Sequence, residues 1–173
     1  MTSLDKLGGL DRISSEILDL LVSYYFFRKK SDRLVAQNPG GLGALEMIVS
    51  IQTLTNDIIL RLCKLDDDDN RNWSFREVLK KLRKQRVSTV IEKEVEKDFK
   101  RYRLLINNLK IHHRNVSITH LAKTPPQPFK TTFQIKDAIL LAVKIHDTLH
   151  GEKVTYTIDK GWSGEEIDLL KEI

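Results

Sequence analysis

The sequence predicts an all-α protein, an antiparallel bundle of about five helices with a short irregular C-terminal extension. Three observations support this prediction. Apolar residues recur at intervals of three and four over several long stretches, two capping-box sequences mark helix starts, and stretches rich in glycine or proline separate the helical segments.

The first two predicted helices form one antiparallel pair. Helical spacing of apolar residues predicts the first helix over Ile13–Ala36. The stretch Asn38–Gly43 is predicted to be a turn, because proline and glycine disfavour continuation of a helix. It lacks the Gly-Lys-Ser/Thr ending of a phosphate-binding loop. The second helix is predicted over Ala44–Leu65, with these residues on one side: Leu45, Ile48, Ile51, Thr55, Ile58, Leu62 and Leu65.

Capping boxes predict the starts of the third and fourth helices. Ser74 with Glu77 three residues later opens a helix to about Gln85. Thr89 with Glu92 repeats the signal and opens a long helix toward His112. The acidic stretch before Ser74, from Asp66 to Trp73, is predicted to be a solvated turn.

The last third of the chain begins with a proline-rich loop at residues 123–128, since three prolines in four residues exclude a helix. Apolar residues from Ile135 to Leu149 predict a fifth helix, closed by Gly151. Lys153–Ile158 alternates like a short strand, and Ser163–Ile173 is interpreted as a last short helix. We therefore predict a lead-in at residues 1–12, a bundle domain at 13–151 and a C-terminal arm at 152–173.

Length and composition indicate one globular domain. The 173 residues are 31% charged, and no apolar run reaches the 18 residues that a membrane span needs. Cys63 is the only cysteine, which excludes an internal disulfide and a zinc-thiolate cluster. The first fifteen residues show no secretory signal, so we expect a cytoplasmic protein without membrane partners.

The basic residues are concentrated in the middle of the chain. From Arg71 through Arg114, fourteen Lys or Arg residues stand against five Asp or Glu, a local balance of +9. Such a run is typical of a solvated helix surface, and it is also typical of a surface that binds nucleic acid. On the second interpretation, RNA would be bound by these residues: Lys80, Lys84, Arg101 and Arg103.

One short stretch suggests a chemistry. Arg114, Asn115 and His120 provide a cation, an amide and an acid/base group within seven residues. An arginine can hold a phosphate in a bidentate fork, and a histidine titrates near neutral pH and can move the 2′-hydroxyl proton of RNA. These residue types suit cleavage of a phosphodiester, although the spacing alone is common in helical proteins.

In combination, these features resemble the HEPN superfamily. The features are the helix pair ending in Arg61–Asp66, the capped Ser74 helix, and Arg114-Asn115 with His120. The likeness covers roughly residues 13–150 as ordered features, and it is nearest to the U-type abortive-infection branch of phage-defence proteins.

The resemblance implies a homodimer and a metal-independent ribonuclease without a cofactor. It implies that His120 activates the 2′-hydroxyl, that Arg114 stabilises charge on the phosphorane and that Asn115 positions the site. Six residues on a straight helix rotate by about 240°, so Arg114 and His120 do not share a face within one subunit. A bent helix end or a site composed from two subunits is required.

Several alternatives remain. The motif could be registered on Asn107 and His113, with an asparagine in place of the arginine, which describes a catalytically silent protein. The turn at Asp66 partly resembles a calcium loop, but Arg71 stands where the loop requires glycine. His146 and His150 have the spacing of two metal ligands without a third, and are interpreted as the polar flank and last turn of the fifth helix.

The sequence therefore supports two functions of different classes. The first is an RNA-cleaving or RNA-binding HEPN-like protein of a toxin–antitoxin or antiphage system. The second is a catalytically silent helical dimer that binds a protein partner, such as a cognate antitoxin.

Overall fold

The computed structural model describes residues 9–37, 39–69, 72–85, 89–110, 132–161 and 164–173. These residues form five helices and one small sheet. In chain order they are α1 (Leu10–Gln37), α2 (Gly41–Leu65), α3 (Phe75–Gln85), α4 (Thr89–Leu109), α5 (Thr132–His150), β1 (Thr157–Asp159) and β2 (Glu166–Asp168). The predicted all-α bundle with a short C-terminal extension is confirmed.

Helices α1 and α2 form the predicted antiparallel pair. Polar side chains join them across their facing surfaces: the Ser23 hydroxyl donates to Asp57 at 2.6 Å, and Arg61 donates to Glu16 at 3.1 Å and to Asp19 at 2.9 Å. The prediction was wrong about the start of α2. Gly41 begins the helix, so the turn predicted to extend to Gly43 is shorter.

Only half of this helix pair belongs to the hydrophobic core. The buried residues of α1 end at Tyr24, and those of α2 begin at Ile58. No described residue between positions 25 and 57 is buried. We call residues 25–57 the outer arm. It projects beyond the core, and much of the predicted apolar stripe of α2 lies on it without cover.

Helices α3, α4 and α5 complete the core against the inner half of the pair. α4 packs mainly against α5 and also against α3, while α5 contacts α1. An aromatic cluster joins α3 to α4: the Phe75 ring lies edge-on to Tyr102 at 5.7 Å and to Phe99 at 6.3 Å between centroids. This cluster fixes the position of α4 beside the end of α2.

The C-terminal extension is a β-hairpin, so the predicted tail helix is wrong. β1 pairs with β2 in antiparallel register, with Ile158 opposite Ile167. Gly161 and Gly164 adopt positive φ angles of 85° and 62°, which allow the chain to reverse there. Tyr156 is buried and Ile158 is partly buried, so both lie on the inner side as the alternation predicted. The strand itself begins only at Thr157.

Candidate functional site

Arg114, Asn115 and His120 lie outside the described residues, as does His113. Their mutual geometry therefore stays a prediction. The structure does describe the chain up to Lys110, four residues before Arg114. The candidate site is built around this end of α4, where α4 lies beside the C-terminal end of α2 and the first turn of α3.

Asp66 is the centre of this region. It forms the C-cap of α2, and its side chain is only 2% exposed. A negative charge at a helix C-terminus is unfavourable, because the unpaired carbonyl groups there carry partial negative charge. A buried carboxylate in such a place requires positive partners. The prediction that Asp66 belongs to a solvated turn is therefore wrong, whereas Asp68 is 79% exposed as expected.

Three basic side chains surround the Asp66 carboxylate. Lys110 Nζ lies 2.5 Å from Oδ2, while Arg76 Nη2 and Arg103 Nε each lie 3.3 Å from Oδ1. Neither arginine forms the bidentate pair that a guanidinium makes with a carboxylate at ideal geometry. One buried anion thus holds three cations that come from α3, from α4 and from the residue that follows α4.

A structured turn positions Arg76. The Ser74 hydroxyl donates to the Asp67 carbonyl at 2.7 Å and accepts from the Glu77 amide at 3.4 Å, so the predicted serine cap of α3 is confirmed. Asp67 accepts from the Asp69 amide at 3.1 Å and from Asn72 at 3.0 Å. The Asp69 amide bond is the main reason that the pKa of Asp67 is lowered. Arg76 therefore starts from a fixed first turn of α3.

A buried tyrosine positions the cations of α4. The Tyr102 hydroxyl donates to the Leu62 carbonyl at 2.6 Å, in the last turn of α2 where carbonyls lack helical partners. Burial raises the pKa of Tyr102 well above its usual value, so the hydroxyl stays a donor. Arg103 and Lys110 are seven residues apart, about two helical turns, and so they lie on the same side.

These residues line a polar pocket of about 370 Å³. Asn107 lies between Arg103 and Lys110 on the same side of α4 and contributes its amide. The full lining is Leu60, Cys63, Lys64, Asp66, Asp67, Asp68, Arg76, Arg103, Asn107 and Lys110. The pocket combines fixed cations with a buried counter-charge, which suits binding of a small anion.

The four predicted RNA-binding residues do not form one surface. Lys80 pairs with Glu77 at 2.5 Å, and Lys84 is exposed without an ion pair to any described residue. Arg101 lies 3.7 Å from Asp98 and lines a groove between α4 and α5. Arg103 lines the Asp66 pocket instead, since two residues along a helix turn the side chain by about 200°.

The interpretation of His146 as a polar flank is wrong. Its side chain is fully buried, and Nδ1 lies 2.9 Å from the Tyr156 hydroxyl. Burial, with a smaller effect from His150, lowers the pKa of His146 to about 4, so the ring is neutral near pH 7. Within the described residues, no group of three or more His, Cys, Asp or Glu side chains is arranged to hold a metal ion.

Sequence reasoning missed Arg76 and Lys110 as site residues, and it assigned Asp66 to the wrong environment. The available signal was the placement of Arg103, Asn107 and Lys110 at intervals of four and three, which marks one polar face of α4. This polar face can be recognised as part of a site only in the structure, where the end of α2 places a carboxylate against it.

Comparison of the chain with models of protein families, with curated proteins and with solved structures finds no match. Among the helices that the structure describes, none is long and apolar enough to cross a membrane.

Proposed function

We propose that this chain is a HEPN-like protein that binds single-stranded RNA and cleaves it without a metal, as part of a toxin–antitoxin or antiphage system. The observation that carries the proposal is the convergence of Arg76, Arg103 and Lys110 at one pocket. Lys110 precedes Arg114 by four residues, so the chain leads from these cations directly into the predicted catalytic residues.

In this mechanism each motif residue has a distinct role. His120 takes the proton of the 2′-hydroxyl, whose oxygen then attacks the adjacent phosphorus and displaces the 5′-oxygen of the next nucleotide, which takes up a proton from water as it leaves. Arg114 stabilises the charge that develops on the phosphorane, because its planar fork matches two phosphate oxygens. Asn115 orients the site through its amide. The products are a 2′,3′-cyclic phosphate and a 5′-hydroxyl end.

The proposal includes a homodimer. If residues 114–120 continued as a straight helix, Arg114 and His120 would be offset by about 240°, which favours a site composed from two subunits. The outer arm provides a separate argument, because α2 exposes Leu42, Leu45, Ile48 and Val49 there, each at least half exposed. Between Gly41 and Asn56 the only ionisable side chain is Glu46, so apart from the two copies of Glu46 this face would bring no like charges together in a dimer.

Cleavage of single-stranded RNA in excess EDTA tests this function. We expect the wild type to cleave and His120→Ala to lose about 10²–10⁴-fold in rate, which is the usual contribution of a general acid or base. Arg114→Lys should also lose most activity, since a point charge does not reproduce the fork. His113→Ala is the matched control and should retain activity. Wild-type rates in both Arg114→Ala and His120→Ala would overturn the proposal.

The second candidate is a catalytically silent module that binds a protein partner. The exposed apolar face of the outer arm favours it, because large exposed apolar patches commonly mark protein interfaces. A wild type that binds RNA or a partner protein but never cleaves, at any enzyme concentration tested in EDTA or in magnesium, would favour this alternative over the ribonuclease.

A further inference from the structure

The Asp66 pocket contains more hydrogen-bond donors than its carboxylate can accept. Two guanidinium groups with five donors each and one ammonium group with three surround a carboxylate with about four acceptor positions. Both arginines make one long contact of 3.3 Å to the same oxygen, Oδ1. Arg76 Nε is buried and has no hydrogen-bond partner among the described residues. Much of the donor capacity of the two arginines is therefore unused.

The charges around the pocket are also unbalanced, with more positive than negative side chains. Asp66 provides one negative charge to three cations. Asp68 adds only a distant contact, 3.8 Å from Arg76, and its side chain is largely in solvent. The Asp67 carboxylate accepts bonds from neutral amides of Asp69 and Asn72, so its negative charge remains. Lys64 also lines the pocket, so four cations stand against three carboxylates, and the lining presents a net charge of +1 to a concave, polar space.

The size and lining of the space select the class of ligand. A pocket of about 370 Å³ is near the lower end of the range for small-molecule sites, which are mostly apolar. This pocket is lined chiefly by charged and amide groups, so it does not suit an apolar ligand. Arginine forks match the tetrahedral oxygens of phosphate, and an adjacent lysine adds a point charge.

We propose that the Asp66 pocket is a phosphate-binding subsite that holds one phosphate group of an RNA strand, with Arg76, Arg103 and Lys110 as its ligands. This inference rests on the proposed function for the identity of the strand. Asp66 acts as a positioning residue: it keeps the three cations together when the pocket holds no anion. A bound phosphate accepts the unused donors of both guanidinium groups.

Calorimetric titration of the full chain with inorganic phosphate, at constant ionic strength set with chloride, tests the subsite. We expect wild type to bind phosphate and Arg103→Gln to weaken binding about ten- to a hundredfold, which corresponds to loss of a hydrogen bond to a charged group. Arg103→Lys keeps the charge but loses the fork, and should lie between these two. Lys100→Gln is the control for net charge, since Lys100 is on the same helix and pairs with Glu96 outside the pocket.

Competition with short RNA oligonucleotides identifies the source of the phosphate. Stronger displacement by a 5′-phosphorylated strand than by its 5′-hydroxyl counterpart assigns the pocket to a strand end, and equal displacement assigns it to an internal phosphodiester. Equal phosphate affinity in wild type and Arg103→Gln would overturn the subsite, as would an equal loss in Lys100→Gln. Circular dichroism of each variant establishes that it is folded.

The two proposals fail in different ways. A wild type that cleaves RNA but shows no phosphate binding would exclude the subsite and leave the ribonuclease standing. A wild type that binds phosphate through Arg103 but never cleaves would exclude the ribonuclease and leave a phosphate site on an RNA-binding or silent protein.

Discussion

Two buried aspartates, Asp66 and Asp98, hold cations on opposite sides of the bundle and do so differently. Each residue is 3% exposed. Asp98 lies on α4 and binds Lys144 of α5 at 2.6 Å, with Arg101 of its own helix at 3.7 Å. Asp66 lies at the end of α2 and contacts three cations, one on α3 and two from α4 and its C-terminal end.

The exposure of the cations distinguishes the contact at Asp98, which joins two helices, from the contact at Asp66, which organises a binding site. At Asp98 the side chains of Lys144 and Arg101 are 54% and 65% exposed, so water solvates most of each. At Asp66 the side chains of Arg76 and Lys110 are 27% and 25% exposed, while that of Arg103 is 46% exposed. Arg76 and Lys110 are therefore held in place with less solvent, and the pocket beside the three cations is polar. Asp98 therefore joins two helices, whereas Asp66 organises a site.

The largest effect should follow from removing the Asp66 charge. Asp66→Asn leaves Arg76 and Lys110 partly buried without their anion. We expect a loss of about 3–5 kcal/mol in the free energy of unfolding, the usual result of breaking a buried ion pair from one side. Urea denaturation followed by circular dichroism measures it. A loss of no more than about 1–2 kcal/mol would mean that the cations relax into solvent as easily as at Asp98.

Acid pH should act through a third buried polar group, His146. The pKa of His146 is lowered to about 4 from a usual value of 6.5. Between these values the unfolded chain binds a proton that the folded chain does not, so stability falls as pH falls from about 6.5 to 4. The loss amounts to about 3 kcal/mol at most.

Denaturation at pH 7 and pH 4.5 measures this effect in wild type and in His146→Gln. The variant should show a smaller difference in stability between the two pH values. His150→Gln should change the pH dependence less, since this side chain is 36% exposed and makes the smaller contribution to the lowered pKa of His146. If His146→Gln showed the same pH dependence of stability as wild type, the assignment of the acid effect to His146 would be contradicted.

A smaller effect is expected at Asp98. In Asp98→Asn, Lys144 and Arg101 can turn fully to solvent, so no cation stays buried without a partner. We expect a loss of about 1–2 kcal/mol from the ion pair between Asp98 of α4 and Lys144 of α5, intermediate between an exposed and a fully buried pair. The same urea experiment should rank Asp98→Asn clearly below Asp66→Asn, and the reverse order would reject the distinction between the two aspartates.

The smallest effect is expected for a surface bridge. Arg83 of α3 reaches Glu92 and Glu96 of α4, both at 3.1 Å, and is 50% exposed. Exposed pairs contribute little because water competes with them, so Arg83→Ala should lose less than about 1 kcal/mol. A loss as large as that of Asp98→Asn would show that burial does not set the ranking.

The helices could be predicted from the sequence because their signals are local. The period of the apolar residues and the Ser74 cap depend on neighbours within a few positions, and the structure agrees with them. The tail was predicted wrongly as a helix because its strand pairing depends on a partner strand across the turn, opposite Ile158. The eleven residues Ser163–Ile173 do not by themselves reveal that partner.

The site was less predictable, since it is formed by residues far apart in sequence. Asp66 and Lys110 are 44 positions apart, and their contact follows from the packing of α2 against α4. Burial of His146 depends likewise on Tyr156, which comes from the C-terminal extension. Arg103 was selected from composition alone, and the geometry of α4 turns it away from Arg101, which lines a different groove.

The outer arm implies that the molecule has two levels of local stability. Helical hydrogen bonds in residues 25–57 have few buried side chains around them, because the buried side chains end at Tyr24 and begin again at Ile58. Only the start of the arm has further support, where Arg28 donates to the carbonyl groups of Glu172 and Ile173 at 2.8 and 3.1 Å. Amide hydrogens in the arm should therefore exchange with deuterium through local opening, long before those of the inner halves of α1 and α2, which exchange only when the core opens. A bound partner on the arm would slow exchange in that region alone.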